Sequence, residues 1–242
     1  MTGEAALLLG GLVVMLGACV QWMTGMGFAL VAVPALVLLL GPHQGVALAN
    51  CAAGAISAVG LVSSWRRVRL TAMVPLTIAS VCAVPAGSWV AGQLSLPALL
   101  VGMGLLVSLA VLLVIQGLRV PGLVGTRGAV AAGAVGGFMN ASAGLGGPPV
   151  SLYAVNAGWT AHEFVPNAQF YGIVVNVCSL ATNGVPRLGS TSWALTAAAM
   201  VAGAVIGRVL SDRVPEGRAR QLLLLLALAG GLSALTKGLG GL

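Results

Sequence analysis

Charged side chains are scarce in this chain. They make up 6% of its 242 residues, whereas soluble globular domains carry about 25%. The carboxylates are limited to Glu4, Glu163, Asp212 and Glu216, each of which lies in a loop or at the end of an apolar segment. No carboxylate is therefore placed to hold a sodium ion, a metal or an amine inside an apolar segment. No such segment carries a nucleophile with a base, or a ligand cluster, so we predict that the protein is not an enzyme and binds no metal and no cofactor.

Paired cysteines are also lacking. Cys19, Cys51, Cys82 and Cys178 lie singly within apolar segments. A disulfide framework or a zinc site would need cysteines at short, regular spacing. We interpret the four thiols as small packing side chains.

Apolar residues, by contrast, dominate the chain: 59% of it is hydrophobic, and the mean hydropathy is +1.06. Ten apolar segments can be drawn, at residues 5–20, 28–40, 46–63, 72–91, 98–118, 128–138, 150–157, 164–182, 193–210 and 221–235. Several reach the roughly 20 residues that a membrane-spanning helix needs. The runs beside residues 21–27 and 140–147 are shorter, so those stretches could span or turn back as re-entrant hairpins. We predict an all-α integral membrane protein with about ten transmembrane or re-entrant segments.

The two halves of the chain resemble each other at an offset of 119 residues. This offset carries Gln21 onto Asn140, and it superimposes glycines of the stretch after Gln21 on glycines of the stretch after Asn140. The repeat predicts a first half at residues 1–118, a cytoplasmic connecting loop at 119–127 and a second half at 128–242. Because five segments per half is an odd number, the halves are expected to be inverted relative to each other.

The basic residues test this arrangement. With the N-terminus outside and ten segments, the cytoplasmic loops hold Arg66, Arg67, Arg69, Arg119, Arg127, Arg208, Arg213, Arg218 and Arg220, and the outer side holds Arg187 and Lys237. An eight-segment arrangement would put two of the basic loops on opposite sides, against the positive-inside rule. We therefore interpret the basic residues behind the net charge of +7 as determinants of the orientation of the chain in the membrane. Nucleic acid is not an expected partner. We predict a bacterial-type inner membrane protein with both termini periplasmic and, since the N-terminus has no basic region, no cleaved signal.

Each repeat contains a polar, glycine-rich break between two apolar runs, and these breaks are the candidate substrate site. A matched pair of interrupted segments is the best pointer from sequence to the binding site of a transporter. A helix that starts after such a break offers free N–H groups and the positive end of its dipole, which suit a small anion. The candidates for substrate binding are Gln21, Thr24, Gly25, Gly27, Asn140, Ser142, Gly144, Gly146 and Gly147.

Further polar pairs coincide at the same offset. Asn50 falls on Gln169, and either amide could line the substrate path or hydrogen-bond to neighbouring helices. His43 falls on His162. The alternatives for these two histidines are proton coupling near neutral pH and simple capping of helix ends. Asn167, Tyr171 and Asn176 are further polar candidates in the segment after His162.

The chain resembles the TauE/SafE family of sulfite and organosulfonate exporters. The resemblance rests on Gly25-Met-Gly27-Phe28 followed by Pro34, on Gly144-Leu-Gly-Gly-Pro-Pro149 followed by Leu152-Tyr153, and on the basic stretch Trp65–Arg69. It spans essentially the whole chain and implies an integral membrane transporter of small sulfur- or carbon-containing anions.

The hypothesis is therefore a transporter that exports sulfite, a sulfonate or a related small organic anion by alternating access around a midplane site. Its expected partners are the anion and the lipid bilayer, and the sequence leaves open proton coupling and a homo-oligomer. The alternative is an anion channel that uses the same breaks as a filter.

Overall fold

The computed structural model describes residues 3–116, 120, 122–211, 213–214 and 216–241, and this part of the chain consists of helices and short connections, with no strand. The ten α-helices are α1 Gly3–Thr24, α2 Phe28–Leu40, α3 Pro42–Val62, α4 Leu70–Gln93, α5 Leu96–Gln116, α6 Gly125–Ala143, α7 Gly147–Asn156, α8 Ala161–Asn183, α9 Ser190–Ser211 and α10 Glu216–Leu239. A short 3₁₀ turn at Trp65–Arg67 joins α3 to α4.

Glycines bring pairs of helices into close contact, and their partners reveal the direction of each helix. Gly203 of α9 lies against the backbone of Met15 in α1, and Gly207 lies one turn further along against Cys19. The two helices therefore run in the same direction. The same holds for α4 and α6, where Gly133 and Gly137 of α6 meet the carbonyls of Leu76 and Ser80. Small residues at such crossings let membrane helices approach closely.

Two other pairs run in opposite directions. Gly54 of α3 lies beside Asn176 of α8, while Gly60, further along α3, lies beside Gln169, earlier in α8. In the pair of α5 and α10, Gly104 meets the carbonyl of Gly231 and the earlier Val101 meets the later Gly238. Parallel pairs thus have helix numbers of the same parity and antiparallel pairs have opposite parity. This is the pattern expected when ten helices alternate in direction.

Five described helices are long and apolar enough to cross a membrane: 6–24, 42–62, 70–93, 162–183 and 190–211. Large apolar side chains along them, such as Leu8, Val62 and Val201, face outward and are largely exposed. Outward apolar surface of this extent is typical of contact with lipid. The prediction of an all-α, multi-pass membrane architecture is confirmed at this level.

The helices before the two breaks are longer than the sequence predicted. α1 continues to Thr24 and α6 to Ala143, so they have 22 and 19 residues, whereas α2 and α7 after the breaks have 13 and 10. Polar residues are tolerated in the last turns because their side chains bond within the protein. The Thr24 hydroxyl donates to the Val20 carbonyl at 2.8 Å, and Ser142 donates to Phe138 at 2.8 Å. Each break is therefore a long helix followed by a short one.

The first helix after the predicted connecting loop begins earlier than its predicted apolar segment. α6 begins at Gly125, within the predicted loop 119–127 and three residues before the predicted segment at 128. Residues 119 and 121 of that loop lie outside the described residues, as does Asp212 of the loop before α10.

Candidate functional site

The two breaks terminate their helices in the same way. Gly25 and Gly144 adopt left-handed backbone angles, with φ of 78° and 70°. The N–H of Gly25 donates to the carbonyl of Gln21 at 2.8 Å, and the N–H of Gly144 donates to that of Asn140 at 2.8 Å. Glycine is the residue that adopts this helix-ending conformation without strain from a Cβ atom. The sequence repeat is therefore also a repeat of local geometry.

The two breaks contact each other in the folded chain. A Cβ atom built on Gly147, the first residue of α7, would lie 2.6 Å from the Met26 sulfur in the first break. The Ser151 hydroxyl lies 3.7 Å from the same sulfur. The starts of α2 and α7 thus converge although more than 110 residues separate them in the chain.

A cavity of about 80 Å³ lies where the breaks converge. Its walls come from both breaks, from the middle of α3 and α8, and from single residues of α5 and α10. The lining residues are Gln21, Gly25, Met26, Gly27, Phe28, Ala29, Leu30, Ala53, Ser57, Val111, Asn140, Gly144, Leu145, Gly146, Gly147, Pro148, Ser151, Ala168, Tyr171, Gly172, Val175, Asn176 and Leu224. Seven of the residues predicted from the breaks are among them: Gln21, Gly25, Gly27, Asn140, Gly144, Gly146 and Gly147.

Asn140 is the centre of a buried hydrogen-bond network beside this cavity. Its side-chain nitrogen donates to Asn176 Oδ1 at 3.1 Å and to Ser179 Oγ at 2.9 Å, with Asn50 Oδ1 at 3.4 Å. Its oxygen accepts the N–H of Gly146 at 3.2 Å. The side chain therefore ties α6 to α3 and α8 and holds the turn before α7 in place.

Gln21 makes the corresponding contacts from α1. Its side-chain nitrogen donates to the carbonyl of Ala53 at 3.2 Å and to Ser57 Oγ at 3.0 Å, both on α3. The amide nitrogens of Gln21 and Asn140 thus already have protein acceptors. A ligand in the cavity would draw its donors from other groups.

The start of α2 supplies such donors. Its first intrahelical bond runs from the Val31 N–H to the Gly27 carbonyl at 3.3 Å, so the N–H groups of Phe28, Ala29 and Leu30 have no acceptor within the helix. No side chain caps this end. α2 therefore directs backbone donors and the positive end of its dipole towards the cavity.

The start of α7 differs. Pro148 and Pro149 occupy its first turn and carry no N–H, as the sequence predicted for the beginning of a helix.

The Tyr171 hydroxyl, which is buried on the cavity wall, has no hydrogen-bond partner among the described residues, and neither has the buried Asn50 Nδ2. These two groups are unused polar atoms near the site.

The other predicted residues lie elsewhere. Thr24 bonds back to the carbonyls of Val20 and Met26 and is outside the cavity lining. Gln169 is buried against Gly60 towards one end of α3. Asn50 is outside the cavity lining and lies beside Asn140.

Ser142 and His43 line a second cavity, of about 530 Å³, which we term the vestibule. It lies among the start of α3, the ends of α4, α6 and α8, and the start of α5, and its other polar side chains are Ser88, Thr182 and Asn183. The last turn of α6 has the central cavity on one side and the vestibule on the other. His162 is exposed at the start of α8, and neither histidine lines the central cavity.

Several cavity and network residues were not among the principal sequence candidates. From the sequence, Tyr171 and Asn176 are further polar candidates, whereas Ser57, Ser151 and Ser179 are not predicted. One signal was available, because the offset of 119 that aligns the breaks also carries Ser57 onto Asn176.

Two similar contacts hold the connecting loops on opposite sides of the cavity. After α3, the Arg69 N–H donates to Asn167 Oδ1 at 2.8 Å, and the Arg69 guanidinium pairs with Glu163 at 3.1 Å. After α8, the Arg187 N–H donates to Gln44 Oε1 at 2.7 Å. We call these the Arg69 clasp and the Arg187 clasp. In the Arg69 clasp, the loop after α3 is held by the first turns of α8. In the Arg187 clasp, the loop after α8 is held by the first turn of α3.

The described residues that line the central cavity include no histidine, cysteine, aspartate or glutamate. Groups of three or more histidine, cysteine, aspartate or glutamate side chains are absent from the described residues. Its contents are neutral amides, hydroxyls and backbone dipoles.

Comparison with known proteins gives one match. The family model described as "Sulfite exporter TauE/SafE" matches residues 9–234. Searches of curated proteins and of solved structures returned no significant match. The family match covers nearly all of the 242 residues and includes both breaks, so the chain belongs to the TauE/SafE family of sulfite exporters.

Proposed function

We propose that this protein exports a small anion, sulfite or a related sulfonate, by alternating access around the central cavity. The observation that carries the proposal is the contact between the breaks, with Gly147 packed against Met26. The short helices α2 and α7 begin at one buried point, and discontinuous helices of this kind form the binding sites of many secondary transporters. Membership of a family of exporters adds the substrate class.

The lining residues support an inverted repeat of two halves, 1–118 and 128–242. They occur as pairs separated by 119 residues: Gln21 and Asn140, Gly25 and Gly144, Gly27 and Gly146, Ser57 and Asn176. The repeat also relates two of the helix pairs. It exchanges α1 with α6 and α9 with α4, so the α1–α9 pair becomes the α6–α4 pair. A two-fold relation through the cavity, in the plane of the membrane, accounts for both facts.

The two clasps support alternating access. They close over opposite ends of the α3–α8 pair, and Gln44 and Glu163 are repeat equivalents. The vestibule lies on the Arg187 side. In our proposal the protein opens alternately on the two sides, with one clasp released while the other is closed.

The sidedness follows from the charges. With helices of alternating direction, Arg66, Arg67, Arg69, Arg127 and Arg208 all lie at one end of the bundle. We assign this end to the cytoplasm of a bacterial-type inner membrane. Both termini and the vestibule then lie on the periplasmic side.

Flux of ³⁵S-sulfite into proteoliposomes of the full chain tests the proposal. Ala29 lines the cavity at the start of α2, and Ala29→Leu would fill part of it. Overfilling a packed site costs about 1–3 kcal/mol, so we expect about a ten-fold loss of flux. The control is Ala86→Leu, an exposed position of α4, which should retain the wild-type rate.

Three results would contradict the proposal. Wild-type flux equal to that of protein-free liposomes would contradict the proposal that the protein transports sulfite. Equal flux in Ala29→Leu and Ala86→Leu would contradict the assignment of the cavity as the substrate site. Steady single-channel currents of the anion in a planar bilayer would replace the carrier with a channel.

A further inference from the structure

We infer that the central cavity accepts its substrate only as a singly charged oxyanion, and that any proton that crosses with it is carried by the substrate. This inference rests on the function proposed above and specifies the chemical form of the anion. For sulfite, that form is hydrogen sulfite.

The charge of the cavity is the first argument. Among its described lining side chains the polar groups are the amides of Gln21, Asn140 and Asn176, the hydroxyls of Ser57 and Ser151, and the phenol of Tyr171. None of these is charged at neutral pH. An anion that enters therefore loses water without gaining a cation.

The charge of the anion then decides the cost of its entry. The free energy of transferring an ion from water into a low-dielectric site rises with the square of its charge, so a dianion costs about four times as much as a monoanion of the same size. The favourable groups are the start of α2, equivalent to about half a positive charge, and the start of α7, whose two prolines leave it fewer N–H groups. Together they balance at most about one negative charge. A second charge would remain uncompensated.

The size of the cavity is the second argument. Its volume of about 80 Å³ is room for on the order of five water molecules. A small oxyanion such as hydrogen sulfite or methanesulfonate has a comparable number of heavy atoms. The rest of the lining is largely apolar, with Phe28, Val111 and Val175 among it, and it offers no cation for the carboxylate of a longer, doubly charged sulfonate.

The position of the titratable groups is the third argument. His43 is exposed on the vestibule and His162 is exposed at the start of α8, beside Glu163. Of the described residues that line the cavity, Tyr171 of α8 alone titrates, and those contributed by α1, α2, α3, α5, α6, α7 and α10 carry no ionisable side chain. Sulfite, whose conjugate acid titrates near neutral pH, can instead take a proton from water on one side and return it to water on the other.

The test compares three anions in proteoliposomes of the full chain, with the rates of protein-free liposomes subtracted. Methanesulfonate is a permanent monoanion, sulfate is a dianion with the same number of heavy atoms, and sulfite changes between the two forms. We expect methanesulfonate flux to be independent of pH and sulfate flux to be at the background. Sulfite flux should fall by about ten-fold per pH unit above the pKa of hydrogen sulfite, and its uptake should acidify an alkaline lumen containing pyranine. His43→Gln combined with His162→Gln should leave this profile unchanged.

Several outcomes would overturn the inference. Sulfate flux within about ten-fold of methanesulfonate flux would show that the cavity accepts a dianion. A methanesulfonate flux that falls with pH alongside sulfite, or a sulfite profile that disappears in the double histidine variant, would place the proton on the protein. If all three anions remain at the background, the proposed function itself fails, which separates that failure from rejection of the monoanion alone.

Discussion

Replacing Asn140 by alanine should destabilise the protein more than any other amide truncation at the site. Asn140 is 3% exposed. Its side chain makes three well-formed hydrogen bonds, to Asn176, Ser179 and Gly146, at 2.9–3.2 Å. The truncation would leave all three partners without their bond to this side chain.

The magnitude follows from these bonds. Interhelical hydrogen bonds in membrane proteins contribute about 0.6 kcal/mol each on average and about 1.7 kcal/mol at most. Three such bonds give a loss of about 2 kcal/mol and an upper limit of about 5 kcal/mol. Water entering the adjacent cavity would satisfy part of the freed groups, so we expect a value near the lower figure.

The assay is reversible unfolding by SDS in mixed micelles, with the free energy of unfolding compared between variants. Gln21→Ala removes two bonds, at 3.0 and 3.2 Å, and should cost about 1 kcal/mol. Asn156→Ala is the control, because among the described residues the Asn156 side chain bonds to the carbonyl of Leu152 in its own helix and to no other helix. The expected order of destabilisation is Asn140, then Gln21, then Asn156. A loss for Asn140→Ala no larger than that for Asn156→Ala would refute this reasoning about the network.

Three further predictions use the same unfolding measurement. Gly137→Ala would press a methyl group onto a backbone carbonyl of α4 and should lower the free energy of unfolding by about 1–3 kcal/mol. The control, Gly92→Ala, has open space around it and should be neutral or stabilising. Equal effects of the two substitutions would refute the close contact. Gly25→Ala would place a side chain at a left-handed φ and in contact with a valine of α8. It should therefore lower the free energy of unfolding more than Gly184→Ala, where the left-handed φ is in open space. The reverse order would contradict this prediction. Glu163→Gln keeps a capping side chain but loses the ion pair with Arg69, whose side chains are 50% (Arg69) and 37% (Glu163) exposed. The free energy of unfolding should therefore fall by less than about 1 kcal/mol. A loss above about 2 kcal/mol would mean that the pair is shielded from solvent.

Much of the fold could be predicted from the sequence because its signals are local. The apolar segments and the loop positions of the arginines predict ten helices in alternating directions, and the glycine-rich breaks place the ends of α1 and α6 close by, at about residues 20 and 138. The extent of those helices was misjudged because polar residues such as Thr24 and Ser142 resemble loop residues in sequence. Their hydroxyls bond to the preceding helical turn, and this was not apparent from composition.

The site was only partly predictable because it depends on side-chain direction and on contacts between distant helices. Successive residues of an α-helix point about 100° apart, so Asn140 lines the cavity while Ser142, two residues later, lines the vestibule. Ser57 and Tyr171 reach the cavity because α3 and α8 cross there in opposite directions. Gln169 lies on the same helix as Tyr171 and faces Gly60 instead.

The sequence alone therefore determined the apolar segments, the glycine breaks, their repetition and the family to which the chain belongs, since each of these depends on residue order. Tertiary structure alone decided which polar atoms are used within the protein and which remain free. The amide nitrogens of Gln21 and Asn140, the most obvious donors in the sequence, are occupied by α3 and α8. The donors left free at the cavity include the backbone N–H groups at the start of α2, and a backbone group carries no sequence signal of its own. Their availability follows from where a helix begins and from what the fold places in front of it.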